Sequence, residues 1–212
     1  MSETILNVAE EEKEPISDKE KFLELVNSIE REYTDKELLL KQLNNSDFFT
    51  APASVKYHDA EEGGLCRHSL AVYQNLLILN ESFGCEFDET SMKIVALFHD
   101  FSKMNFYKKG IRNKKIYSDN GSKRDEMGRY DWVSVPSYEV REAEDRFVFG
   151  SHEENAAFMI NSFIPLTMEE YCAILHHHGG HGWDSAQDNI MEAYHKYPLA
   201  FYLHTADMMA VI

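Results

Sequence analysis

The sequence predicts a mainly α-helical bundle with a short β-hairpin inserted around residues 105–149. The first observation is a helix-start signature, Ser or Thr followed three residues later by Glu, which occurs at four places. The second is the recurrence of apolar residues at three- and four-residue spacing after these starts. The third is the alternation of β-forming residues in "YDWVSVPSYEV", in the middle of the chain.

The helix starts also suggest how the chain is organised. In each, the Ser or Thr and the Glu can satisfy two backbone N–H groups that would otherwise lack a partner. The four pairs are Ser17 with Glu20, Thr34 with Glu37, Ser151 with Glu154, and Thr167 with Glu170. The acidic residues 1–16 precede the first start and are expected to form a flexible tail. Residues 17–212 are expected to form a single domain, since 212 residues suit one sizeable core.

Three further helices are predicted from apolar spacing and end signals. The first contains Leu65, Leu70, Val72, Leu76, Leu77 and Leu79 and should end at Gly84. The second includes residues 94–98 and stops at the polar end of "LFHDFSK". Pro198 suits the first turn of a last helix through "LAFYLHTADMMAVI".

Composition excludes several functional classes. A formal net charge of -16 argues against a general nucleic-acid coat or a binder of anionic membranes, so any polyanionic ligand requires a local basic patch. The three cysteines are far apart and form no CxxC motif, which indicates neither a disulfide framework nor a thiolate zinc site. No targeting signal or long apolar run is visible, so we expect a cytoplasmic protein without a membrane partner.

The middle of the chain supplies such a basic patch. Between residues 103 and 124 a single acidic residue, Asp119, stands among eight basic ones: Lys103, Lys108, Lys109, Arg112, Lys114, Lys115, Lys123 and Arg124. This pattern favours a phosphate ligand, although a solvated turn would look similar. Nearby aromatic residues could stack on a base: Tyr107, Tyr117, Tyr130, Trp132 and Tyr138. For Trp132, a place in the small core of the hairpin is the expectation.

Histidines are the strongest chemical signal. The chain has ten, and those of interest are His68, His99, His152, His176, His177, His178, His181 and His204. Four predicted helices have a histidine or aspartate near an end or on an apolar face. Buried imidazole and carboxylate groups are costly unless a strongly polar partner satisfies them, and a divalent metal does so well. The alternative is a set of unrelated buried polar clusters.

These residues resemble a known family. His68 in "GGLCRHSLAVY", His99 and Asp100 in "ALFHDFSK", and Asp207 in "LHTADMMA" are similar to the H, HD and D ligands of the HD-domain metal-dependent phosphohydrolases. The resemblance runs from about residue 48 to the end. It is nearest to a branch of small bacterial and phage HD proteins with an inserted Trp and Tyr, which Trp132 and Tyr138 would match. Ser102 stands where the family usually has glycine.

The resemblance implies a fold, a ligand set and a site. The fold is the HD-domain helical bundle, and the metal ligands are His68, His99, Asp100 and Asp207. One divalent ion or two, of Mn, Fe, Co, Ni or Mg, would suit these donors. The implied catalytic residues are Asp100, Lys103, His152 and His177. His152 and His177 are either additional ligands or substrate contacts, and His176 or His178 could replace His177.

The expected activity is hydrolysis of a phosphoester in a nucleotide or a similar small phosphorylated substrate by metal-activated water. The residues expected to bind that substrate are Lys103, His152, His177, Lys108 and Arg112. A short oligonucleotide or a cyclic nucleotide comes next as substrate. A metal-containing nucleotide sensor without turnover and a helical structural protein are the alternatives. The sequence leaves the oligomeric state open.

Overall fold

The computed structural model of the protein describes residues 16–56, 58–179 and 186–211. Within these ranges the chain forms eight α-helices and one small sheet, which confirms a mainly α fold. The helices are α1 (Asp18–Asn27), α2 (Lys36–Asn45), α3 (Gly64–Phe83), α4 (Glu89–Phe98), α5 (His152–Asn161), α6 (Met168–Leu175), α7 (Ala186–Lys196) and α8 (Pro198–Ala210). Two short 3-10 helices span Phe101–Lys103 and Ala143–Asp145. No helix of the described ranges is both long and apolar enough to cross a bilayer.

Three of the four predicted helix starts are confirmed. Full capping boxes are present at Ser17, Ser151 and Thr167. The prediction at Thr34 was wrong, because Asp35 caps α2 and its carboxylate accepts the N–H of Leu38 at 3.0 Å. The helix therefore starts one residue later, and the neighbouring aspartate supplies the cap that the sequence pattern assigned to Thr34. The predicted tail falls largely on residues 1–15, which lie outside the described ranges.

The aromatic core fixes the end of α4. Phe22, Phe48, Phe98 and Phe101 are fully buried, and their rings pack edge-on or tilted, with centroids 4.9 Å apart for Phe22 and Phe48 and 5.4 Å apart for Phe98 and Phe101. Phe98 ends α4, and Phe101 begins the next 3-10 turn. The two residues between them are thus held from both sides, and these are the His-Asp doublet singled out in the sequence.

A glycine pair sets the start of α3. Gly63 caps the helix in the left-handed conformation, with a φ of 79°, which glycine adopts without strain. A Cβ at Gly64 would overlap the carbonyl oxygen of Asp59. The helix that follows ends at Gly84, again left-handed, as predicted. This close start places His68 one turn into α3.

The predicted β-hairpin insertion around residues 105–149 is confirmed, and a short third strand extends it to a small sheet. Its strands are β1 (Tyr107–Tyr117), β2 (Lys123–Asp125) and β3 (Gly128–Val140), all antiparallel in the order β1-β3-β2. Every residue of β1 pairs with β3, from Tyr107 opposite Val140 to Tyr117 opposite Tyr130. We call residues 107–140 the arm. The prediction of a buried Trp132 was wrong, since its side chain is 50% exposed. A ribbon with two solvent-facing sides has no third layer under which to bury it.

Candidate metal centre

The centre is built around Asp100, which follows the last helical residue of α4. His99 forms the C-cap of the helix, and Asp100 leads into the 3-10 turn with φ of -102° and ψ of 18°. This conformation lies in the sparsely populated bridge region, where many active-site residues are found. Because the helix stops here, both side chains of the doublet can point inward. Both are buried, with exposures of 0% and 1%.

Three buried side chains on separate elements form the inner set: His68, His99 and Asp207. The Nε2 atoms of His68 and His99 are 3.3 Å apart. The Oδ1 of Asp207 lies 3.0 Å from the Nε2 of His68 and 3.8 Å from that of His99. Helices α3 and α8 therefore bring their ligand atoms to the end of α4.

Asp100, His152, His177 and His178 form a second, partly exposed group, which we call the outer set. The Oδ1 of Asp100 lies 2.5 Å from the Nε2 of His152 and 3.6 Å from that of His177. Its Oδ2 faces the inner set, 3.5 Å from His99 and 3.7 Å from His68. Asp100 thus presents one oxygen to each set.

The rings of His99 and His177 direct nitrogen lone pairs into the centre. The Nδ1–H groups of His99 and His177 donate to the backbone oxygens of Ala96 and Ile174, at 2.9 and 2.7 Å. Since a carbonyl only accepts, each neutral ring has its lone pair on Nε2, which points into the centre. Burial lowers the pKa of His99 to about 3, so that ring is neutral. The Nε2 of His177 is buried and has no hydrogen-bond partner within the described ranges.

Both carboxylates are ionised at neutral pH. Burial alone would raise the pKa of Asp100, but the charge of Lys103 and the hydrogen bond with His152 hold it well below its usual range. The pKa of Asp207 is lowered against the same effect of burial, chiefly by its hydrogen bond with His68. Lone pairs and negative oxygens thus converge on the same small space. Adjacent ligands around an ion with ~2.1 Å bonds in octahedral geometry lie about 3 Å apart, so these residues fit a divalent metal.

Lys103 compensates part of this negative charge. Its Nζ lies 2.6 Å from the Oδ2 of Asp100, and only 12% of its side chain is exposed. Burial opposes the charge, but Asp100 raises the pKa of the lysine, which stays cationic. The ammonium therefore reaches the same oxygen that faces His68 and His99.

Sequence reasoning missed two polar neighbours of the centre. The hydroxyl of Ser102 lies 2.6 Å from the Nδ1 of His152 and 2.9 Å from its carbonyl oxygen, so it orients that ring. His58 packs its ring 4.8 Å from that of His68, and burial lowers its pKa. Ser102 was visible in the sequence only as a departure from the family's glycine. His58 stands outside every motif, and only the turn before α3 brings it to the site.

The remaining predicted histidines differ in how they relate to the outer set. His177 is the buried member of its run, whereas His178 binds Glu153 at 2.7 Å and His176 is absent from both sets. The Nδ1 of His204 lies 2.6 Å from the carbonyl oxygen of His177, so His204 helps to fix the backbone of this member of the outer set. His181 lies outside the described residues.

The two predicted substrate contacts on the arm have different positions. Lys108 lies at the base of the arm, where its Nζ is 3.4 Å from Glu142. Arg112 is exposed four residues further along β1, about 13 Å from Lys108 along the strand. Neither joins the cluster of metal-ligating groups.

A comparison with protein families gives an independent finding. The family model described as HD domain matches residues 65–200, which is more than half of the chain. No curated protein and no solved structure gives a significant match. The matched region includes His68, the His99–Asp100 doublet, His152 and His177. On this match, the chain belongs to the HD-domain superfamily of metal-dependent phosphohydrolases.

Proposed function

We propose that the protein hydrolyses a phosphoester of a nucleotide or a similar small phosphorylated substrate, using water activated at a divalent metal. The observation that supports this most is the sharing of Asp100 between two sets of ligand atoms. Each set offers imidazole lone pairs and carboxylate oxygen, without thiolate. Such donors suit Mn, Fe, Co, Ni or Mg better than a structural zinc site.

The chain's own residues would divide the work as follows. His68, His99, Asp207 and Asp100 would hold a metal, and His152 and His177 would be available to a second one beside Asp100. A bound divalent metal lowers the pKa of water from about 15.7 toward about 7 and polarises a phosphoryl oxygen. The hydrogen bonds to Ala96 and Ile174 keep two of the imidazoles in the tautomer that this role requires.

Lys103 is the group best placed to meet a phosphate. Its ammonium lies against Asp100 and keeps its charge despite burial. A small shift from the carboxylate toward a bound phosphoryl group would stabilise negative charge that grows during bond cleavage. His152 is partly exposed and stands beside it, in reach of a leaving group.

One observation favours the alternative, a nucleotide-binding module without turnover. The Oδ2 of Asp100 already has a cationic partner in Lys103, 2.6 Å away. A lysine held in such an internal ion pair would be less available to a phosphoryl group during bond cleavage. Both functions include the metal and they differ in turnover, so a single preparation can separate them.

The experiment is elemental analysis of the purified protein, paired with phosphate release from nucleotides and a generic bis-phosphoester under added Mn. We expect bound transition metal and release that disappears in Asp100→Ala. The variant Glu37→Ala removes an exposed carboxylate from the first turn of α2 and serves as the matched control. Metal-loaded protein without turnover would favour the binding module. Full activity in Asp100→Ala would refute the assigned centre.

A further inference from the structure

The arm is a long ribbon with both faces largely exposed to solvent. Its main strands contain 11 and 13 residues and so extend for about 35 to 45 Å. It nevertheless presents large apolar groups, with Ile111 78% and Trp132 50% exposed. An isolated ribbon of this kind gains little stability from such side chains. Exposed aromatic and apolar groups in this setting indicate a binding surface.

The strand register sorts the side chains into two chemically different faces. Residues directly opposite in an antiparallel pair lie on the same face, and alternate residues along a strand do as well. The aromatic face, so defined, contains Tyr107, Lys109, Lys115, Tyr117, Lys123, Tyr130, Trp132 and Tyr138. The opposite face contains Lys108, Arg112, Lys114, Arg124 and Arg129. Three of the five aromatic residues named in the sequence, Tyr117, Tyr130 and Trp132, lie beyond the base of the arm, and all five share one face.

The aromatic rings form a connected column with a lysine among them. The centroids of Tyr117 and Tyr130 are 5.7 Å apart, and those of Tyr130 and Trp132 are 6.1 Å apart. The Nζ of Lys115 lies 4.2 Å from the centroid of Tyr130 and 5.7 Å from that of Trp132. Exposed rings interleaved with cations are the pattern by which proteins hold unpaired bases and their phosphates.

The charge distribution makes the arm the part of the chain best suited to an anionic partner. Residues 107–140 contain eight Lys and Arg against five Asp and Glu, whereas the remainder has 13 basic and 32 acidic residues. Five arm cations make no ion pair within the described ranges: Arg112, Lys114, Lys123, Arg124 and Arg129. A polyanion would be repelled by the acidic remainder and attracted to this ribbon.

The aromatic face leads to the metal centre. Tyr107, at the base, is buried and close enough to Lys103 and Asp100 that their charges act on its hydroxyl. Tyr138 and Lys109 line two neighbouring cavities of about 300 and 330 Å³ at the junction of the arm with residues 47–62. A chain lying along the aromatic face would therefore arrive beside the proposed catalytic lysine.

We propose that the arm binds single-stranded nucleic acid, with bases stacked on the aromatic face and phosphates held by the arm's cations. An unpaired strand fits because its base faces are free, whereas those of a duplex are already stacked on one another. This inference rests on the proposed function and narrows its substrate to a phosphodiester in such a strand.

The test measures binding separately from hydrolysis. A fluorescein-labelled 15-nucleotide oligothymidylate is titrated with the full chain in chelator, and fluorescence anisotropy gives the Kd. Trp132→Ala is expected to weaken binding by about fivefold or more, since one base stack is worth about 1 kcal/mol or more. Val133→Ala, on the opposite face and 39% exposed, is the matched control and should leave the Kd unchanged.

A second pair of variants tests the charges and does not depend on Trp132. Lys109→Gln with Lys123→Gln, both on the aromatic face, should weaken binding severalfold and flatten its salt dependence, whereas Lys41→Gln on the exposed side of α2 should not. Equal Kd values for wild type and both arm variants would overturn the proposal. Tighter binding of a 15-base-pair duplex than of the oligothymidylate would also overturn it. So would arm variants that leave the Kd unchanged and alter only dimer formation, measured by sedimentation.

Hydrolysis in the same preparation separates the two proposals. Turnover of the bis-phosphoester without oligothymidylate binding would reject the role of the arm and leave the phosphohydrolase intact. Binding that depends on Trp132, in a protein without turnover of any phosphoester, would support the arm and reject the proposed function.

Discussion

Two fully buried carboxylates, Glu170 in α6 and Asp100 after α4, are treated differently by their surroundings. Both oxygens of Glu170 accept from permanent donors. Arg31 donates at 2.6 and 3.0 Å, the Ser91 hydroxyl at 2.7 Å and the Thr167 N–H at 2.7 Å. Asp100 has Lys103 and His152 as partners, but it also faces the imidazole nitrogens of His68, His99 and His177 at 3.5 to 3.7 Å.

The difference is the one expected between a structural carboxylate and the proposed metal ligand. Glu170 needs nothing beyond the protein, since each oxygen has two donors. Asp100 lies among lone pairs and a second carboxylate, an arrangement that one ammonium group satisfies only in part. A cation from solution would complete it, and this is why burial alone does not identify the site, whereas the donor-acceptor balance does.

Two isosteric variants, Asp100→Asn and Glu170→Gln, test whether the two carboxylates have different roles. Asp100→Asn is expected to lower phosphoester turnover by roughly a thousandfold and to reduce bound metal, because an amide is a weak ligand. Glu170→Gln is expected to lower the free energy of unfolding by about 3 kcal/mol, since Arg31 loses its partner, and to leave bound metal unchanged. Elemental analysis and urea denaturation of both variants measure these effects. Metal loss in Glu170→Gln at a temperature where it is folded would contradict the distinction.

Acid provides a control for the second variant. Burial would raise the pKa of Glu170, but its hydrogen bonds with Arg31, Thr167 and Ser91 hold it below the ordinary value of 4.5. The folded state then binds fewer protons than the unfolded one just below that value. The stability that the carboxylate contributes is therefore full above pH 4.5 and declines as the pH falls through the folded-state pKa. The difference in the free energy of unfolding between wild type and Glu170→Gln should therefore become smaller as the pH falls.

A variant of Lys103 tests the role of the ammonium group beside Asp100. Lys103→Met removes the ammonium that competes for the Oδ2 of Asp100, and its apolar stem fits a side chain that is 12% exposed. We expect metal content to be kept and turnover to fall by about one to two orders of magnitude, the range of a lost charge stabiliser. Metal titration and phosphate release measure the two quantities. Loss of metal together with a lower melting temperature would mean that the lysine supports the fold instead.

Local chemistry explains how much of this could be predicted from the sequence. The capping box that joins Thr167 to Glu170 spans three residues, and so does the link from Asp100 to Lys103, which makes both visible in the sequence. Arg31, the partner of Glu170, is 139 residues away in the chain, and no local sequence pattern predicts this pair. Asp100 was predicted as a site residue because its family motif is itself local, a doublet at a helix end.

The arm shows the same limit. Alternation in "YDWVSVPSYEV" predicted a strand, but the face that Trp132 shares with Tyr138 and Tyr107 depends on the register between β1 and β3. Register is set by pairing over the whole ribbon, so the sequence alone placed Trp132 in a core that the ribbon does not have. Likewise, His177 was distinguished from His176 and His178 only by the turn at the end of α6.

The smallest expected effect concerns Ser102, which orients His152 from the side away from Asp100. Ser102→Ala removes the contacts with the Nδ1 and the carbonyl oxygen of His152 and leaves Asp100 and its other neighbours in place. Loss of such a supporting hydrogen bond costs about tenfold in metal affinity or activity. Because only the outer set depends on this ring, a titration that resolves two metals should show only one of the two binding steps affected. Equal weakening of both steps would mean that the two sets bind as one unit, and no change would mean that Asp100 alone orients His152.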